Sequence, residues 1–154
     1  MAPVLAVLVA SSAMAHNIIV VFKGGVGVIP VSSLGVANVV KGIQPPGQPW
    51  RISDLSATVR APNHIHVEGR GLLLAGGNGI GTNGGQKVFA TLICGTTAFS
   101  MPVANAVPLD DEGDFTIDDV LSPAPPGDCD NQILLIRSAT IPGHPWFAAG
   151  IPVQ

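Results

Sequence analysis

Four histidines stand in this sequence, and the placement of three of them has chemical meaning. His64 and His66 flank Ile65, so in a β-strand both imidazoles point to one face. His16 follows Ala13-Met14-Ala15, and signal peptidase requires small residues at the first and third positions before its cut. Cleavage behind Ala15 makes His16 the first residue, with its α-amino nitrogen and imidazole forming a bidentate chelate for Cu(II). A third nitrogen, from His64 or His66, completes a T-shaped set suited to that ion. The candidate metal ligands are thus His16, His64 and His66. Copper is the cofactor they would take, and no other cofactor is expected.

Other chemistries fare worse. Eight of the ten acidic residues fall between Asp110 and Asp130. The spacing Asp110, Glu112, Asp114 imitates the start of a calcium loop, but Phe115 stands where the loop's glycine must be. Charged turns and protection of a sheet edge account for the run more simply. Asp118 and Asp119 are adjacent in a strand, so their side chains face opposite ways and cannot share a substrate. Gly79-Ile80-Gly81-Thr82-Asn83-Gly84 fits a dinucleotide pattern, yet a strand rather than a helix follows it, and the nucleotide reading is discarded. No G-x-S-x-G elbow is present. Trp50 and Trp146 sit beside prolines and are expected to pack at the rim of a core. No enzymatic activity is expected, and no catalytic residue is assigned.

The elements that must position the histidines follow from composition and periodicity. At 154 residues the chain suits one domain. It is 47% hydrophobic and only 11% charged, which excludes a solvated disordered chain. A net charge of −3 with scattered Lys and Arg leaves no footprint for nucleic acid. Glycine (19) and proline (14) disfavour long helices. Tyrosine is absent, so a broad aromatic binding platform is not available.

Residues 2–15 form an apolar run ending in small residues, too short to span a bilayer, which takes about 20 residues. No Lys or Arg precedes the run. It reads as a signal peptide over 1–15, leaving a single domain over 16–154 in a secreted or periplasmic protein. No later segment is apolar enough to anchor it in a membrane. In an oxidising compartment Cys94 and Cys129 are expected to pair.

Strands are expected over Asn17–Lys23, Val36–Ile43, Trp50–Arg60, His64–Leu74, Gln86–Cys94, Asp114–Val120, Ile133–Ser138 and Trp146–Ile151. Ile65, Val67 and Gly69 make an apolar or small face opposite His64, His66, Glu68 and Arg70. Val88–Ile93 is mostly apolar on both faces, as in a central strand. Pro62-Asn63 links two strands at hairpin spacing. The fold class is therefore all-β: an antiparallel β-sandwich of about eight strands with one disulfide.

Two resemblances add to this. The stretch Leu109-Asp110-Asp111-Glu112-Gly113-Asp114-Phe115-Thr116-Ile117, with Leu121 and Pro126-Gly127, resembles a hairpin of transthyretin-like and pollen Ole-e-1-like sandwiches. That resemblance implies a D-x-x-G-x-F turn with a positive φ at Gly113 and Phe115 in the core, within an Ig-like or transthyretin-like sandwich. Val21–Gly25, Gly69–Leu74, Gly77–Thr82, Val88–Cys94 and Trp146–Gly150 are similar to a group of uncharacterised exported microbial proteins. The group carries no assigned activity. The pattern of His16 with His64 or His66 is similar to the histidine brace of lytic polysaccharide monooxygenases and periplasmic copper-resistance sandwiches. Here no aromatic axial residue accompanies it. The expected function is a non-enzymatic binding or structural module with a protein or cell-envelope partner, with a copper protein using His16 as the alternative.

Overall fold

The computed structural model describes residues 17–33 and 36–154. The expected leader over 1–15 and the candidate ligand His16 lie outside the described residues. Among the described residues, apart from one short 3-10 turn at Val103–Asn105, the regular structure is all β. The strands are β1 (Ile18–Gly27), β2 (Ser32–Ser33), β3 (Val36–Ala37), β4 (Trp50–Arg51), β5 (Asp54–Arg60), β6 (His64–Arg70), β7 (Leu73–Leu74), β8 (Lys87–Cys94), β9 (Thr97–Ser100), β10 (Val107–Pro108), β11 (Phe115–Val120), β12 (Ile133–Ser138) and β13 (Trp146–Pro152).

One antiparallel sheet runs β10-β8-β12-β13-β1-β5-β6-β11, with β9 also paired to β8. It curls until its ends meet, where the Ser122 N–H, just past β11, donates to the Ser100 carbonyl at the end of β9 (3.0 Å). The result is a sandwich-like, partly closed sheet. The small pairs β2-β3 and β4-β7 lie outside it.

Period-two alternation explains which face turns inward. Leu55, Ala57 and Val59 of β5, Ile65 and Val67 of β6, and Phe115 and Ile117 of β11 are all buried. The residues between them carry hydroxyls and charges and reach solvent. Strand β8 differs, because Val88 through Cys94 are all buried. It lies inside the sheet, flanked by β12 on one edge and by β9 and β10 on the other. Each fully buried Leu or Ile there stabilises by about 1.5–3 kcal/mol, and this run on both faces anchors the fold. Trp50 stacks on Phe147 with ring centroids 4.1 Å apart. Trp146 is also buried, and its indole N–H donates to the Asn38 carbonyl (3.3 Å).

Cys94 and Cys129 are bonded, with Cα atoms 4.9 Å apart. The bridge ties the end of β8 to the Pro-rich loop before β12, where the Gly95 N–H also donates to the Asp130 carbonyl (2.7 Å).

The strands depart from the expected spans at identifiable turns. The expected strand Val36–Ile43 stops after Ala37. Lys41 (φ 48°) and Gly42 (φ 84°) make a tight reversal that pairs Val40 with Ile43. Two successive positive φ values are the mark of a type I′ hairpin turn, usually written with Asn-Gly. Trp50–Arg60 is broken at Ile52-Ser53 and His64–Leu74 at Gly71-Leu72. Gly71 has φ +68°, and a Cβ there would lie 2.3 Å from the Ser53 Oγ. The short strands β9 and β10 are additions to the expected set. Four apolar or hydroxyl residues and a Val-Pro pair are too brief for periodicity to register.

Candidate functional site

The histidine-bearing hairpin is built from the chain outward. Strands β5 and β6 are joined by Ala61-Pro62-Asn63, with Arg60 opposite His64. Because Ile65 and Val67 are wholly buried beneath, His64 and His66 must stand on the solvent side, where both are half-buried. The register extends the face across three strands. Arg60, His64 and Val120 share one rung; Thr58, His66 and Asp118 the next; Ser56, Glu68 and Thr116 the third.

The His64 Nε2–H donates to the Asp118 Oδ1, two residues along β11 from its own rung partner Val120. A carboxylate only accepts, so the ring Nε2–H is the donor in this contact. His66 Nε2 lies 3.4 Å from Glu68 Oε1. Arg70 Nη1 approaches Asp114 Oδ2 at 3.6 Å. The two histidine pairs are about half exposed, so each contributes about 0–1 kcal/mol at most. Beside the face, a cleft of about 390 Å³ opens between β10 and β11, lined by Glu68, Arg70, Pro108, Asp110, Asp114 and Thr116 among others.

The two strand histidines are thus brought together on one face. His16 is outside the described residues, but its chain neighbour is placed. The Ala61 N–H donates to the Asn17 carbonyl (2.8 Å), and Ile18 pairs with Arg60, which pairs with His64. Strand β1 therefore starts at the histidine end of the β5–β6 hairpin. It does not adjoin β6, however, since β5 lies between them, a separation of about 10 Å at the usual strand spacing.

Three carboxylates of the acidic run are taken up by backbone N–H groups. Asp110 Oδ1 accepts from the N–H groups of Glu112 (2.9 Å) and Asp114 (2.8 Å). Asp114 Oδ1 accepts from Gly71 N–H (2.9 Å), and Asp119 Oδ1 from Val120 N–H (2.7 Å). Gly113 has φ +81° and Phe115 is buried, as a D-x-x-G-x-F turn requires. As the side chains stand, no three His, Cys, Asp or Glu among the described residues converge on one ion. The glycine run is a turn folded against β7, with Gly81 N–H donating to the Leu74 carbonyl (2.8 Å), and β8 follows it as a strand.

One polar feature escaped the sequence reading. Arg137, in the apolar strand β12, lies over the Phe89 ring, 5.0 Å from its centroid. Its Nε–H donates to the His144 carbonyl (2.9 Å) and an Nη1–H to the Thr91 hydroxyl (3.2 Å). The His144 Nδ1–H donates to the Ser138 carbonyl (2.9 Å). Burial pushes the guanidinium pKa down from its ordinary value. A lone Arg inside Leu-Leu-Ile-Arg is the only trace of this in the sequence. Its bonds fasten the 139–145 loop to the sheet.

Among the described residues, no helix is long and apolar enough to cross a membrane. No protein-family model, curated protein or solved structure matches the chain.

Proposed function

We propose that this is an exported, secreted or periplasmic, non-enzymatic binding module whose working surface is the outer face of β5, β6 and β11. The observation that carries this is the arrangement of Arg60, Thr58, His64, His66, Glu68 and Asp118 in register on a wholly buried apolar floor, beside an open polar cleft. A sheet face held rigid from beneath offers polar groups at fixed spacing, which suits recognition of a cell-envelope or protein partner. The disulfide is in keeping with an oxidising compartment. On this reading, the exported protein co-sediments with its host's envelope fraction. Replacing Arg60, His66 and Glu68 together by Ala should abolish that while leaving the thermal transition in place. Unchanged co-sedimentation of the triple variant would reject the face.

A second reading is a copper protein in which His16 chelates through its amino and imidazole nitrogens and His64 or His66 supplies a third. The bond between Ala61 N–H and Asn17 carbonyl favours it, because it brings the start of β1 to the histidine end of the hairpin. Titrating Cu(II) into the exported chain, and into a chain with one Met ahead of His16, tests this. The extra residue should remove tight binding, and equal affinity in both would end the brace.

A further inference from the structure

We propose that His64, His66 and Asp118 form an open two-nitrogen, one-oxygen site for a divalent ion of the zinc or copper kind, independent of His16. It rests on the reading of this face as the binding surface and deepens it. The ladder between β6 and β11 brings the three side chains together. Leu121 N–H donates to the Asn63 carbonyl (2.8 Å), so the 121–63 rung is a hydrogen-bonded one. Bonded and non-bonded rungs alternate in an antiparallel pair, which makes 119–65 bonded and 118–66 non-bonded. Side chains approach most closely on non-bonded rungs, where Cα atoms are about 4.5 Å apart. His66 and Asp118 are such a pair, and they lie on the outer face together.

His64 stands two residues along the same strand and already touches Asp118. One carboxylate therefore sits between two imidazoles: opposite one and bonded to the other. An imidazole–carboxylate set with open positions suits zinc and copper, whereas calcium and magnesium want oxygen donors throughout. The backbone beneath is fixed, since Ile65, Val67 and Ile117 are fully buried. Only side-chain torsions need to change. His66 must swing away from Glu68, and the ion must replace the proton that His64 shares with Asp118. Both contacts are exposed and weak, so giving them up costs little against metal coordination. Arg60, on the rung of His64, is the cation that faces the site and holds its affinity down; Arg70 is turned to Asp114.

Zinc titrated calorimetrically into the chelator-stripped exported chain should bind at one equivalent. His66→Ala and Asp118→Asn should each weaken it by about tenfold or more, since even loss of a ligand's supporting partner costs 10–100-fold. Asp111→Asn, on an exposed turn residue, should leave it within about twofold, the usual result for a surface change outside such a site. The spectrum of the Cu(II) form should report two nitrogen ligands rather than three. An extra Met ahead of His16 should leave zinc affinity unchanged. Absence of a bound equivalent, or wild-type affinity in either ligand variant, overturns the site. A loss of affinity caused only by the blocked terminus would assign the metal to the brace instead. Envelope co-sedimentation that persists in chelator would keep the binding face while removing the metal from it.

Discussion

Gly69 shows how a single atom sets the conditions for the candidate site. It lies opposite Phe115 across β6 and β11, and a Cβ there would fall 2.1 Å from the Phe115 Cε1. The ring needs that gap to enter the core from a strand that also carries Asp118. Gly69→Ala should therefore destabilise the protein by about 1–3 kcal/mol, the usual cost of overpacking. Urea denaturation would measure it, and a change below about 0.5 kcal/mol, the range of ordinary surface substitutions, would show that the ring moves aside freely. Lys41 is the converse case. It holds φ 48° in a two-residue reversal that favours Asn. Lys41→Asn should stabilise by about 0.5–1 kcal/mol, within the range such turn corrections reach. A lower denaturation midpoint would contradict the I′ assignment.

At the level of elements, β8 and β6 make opposite use of the same period. From Val88 onward strand β8 has no solvent face, and its Leu92 is wholly buried. Leu92→Ala should cost about 2–5 kcal/mol, because close-packed neighbours collapse only partly into the space left. Strand β6 has one working face, so His64→Ala should change stability by less than about 1 kcal/mol, as befits an exposed ion pair. Parallel thermal melts of the two variants would test the contrast. Similar losses in both would mean that His64 is part of the core rather than of a surface site. Arg137 belongs at this scale too, since it joins β12 to β8 and to the loop before β13. A half-buried cation over a ring is retained by its bonds, and sequence periodicity registers it only as an interruption.

For the molecule as a whole, the disulfide is the tie that can be tested most directly. It closes a loop of 35 positions, worth about 3–4 kcal/mol in the chain-entropy account. Reduction should lower the melting temperature by roughly 10 °C, taking about 2–4 °C per kcal/mol for a domain of this size. Alkylation of the unreduced exported protein should label neither cysteine. Labelling of both without reductant would remove the bridge and weaken the case for export. Mass spectrometry of the same material bears on the compartment, because export with cleavage behind Ala15 yields a chain beginning at His16.

Several features were legible from residue order alone. Alternation of Ile65, Val67 and Gly69 with His64, His66 and Glu68 placed both histidines on one face, since side-chain direction in a strand depends only on parity. The mostly apolar faces of Val88–Ile93 marked a central strand for an equally local reason, whereas the turn at Asp110–Phe115 followed from the resemblance to transthyretin-like hairpins. Pairing partners are not local. That Asp118 stands opposite His66, that β5 separates β1 from β6, and that Arg137 covers Phe89 depend on which strands meet. Strand order in an antiparallel sheet comes from the sum of weak, long-range packing terms, and each strand's own pattern fits many neighbours equally well. The sequence by itself therefore determined an all-β chain and the face its histidines occupy. Only the tertiary structure decided what they face.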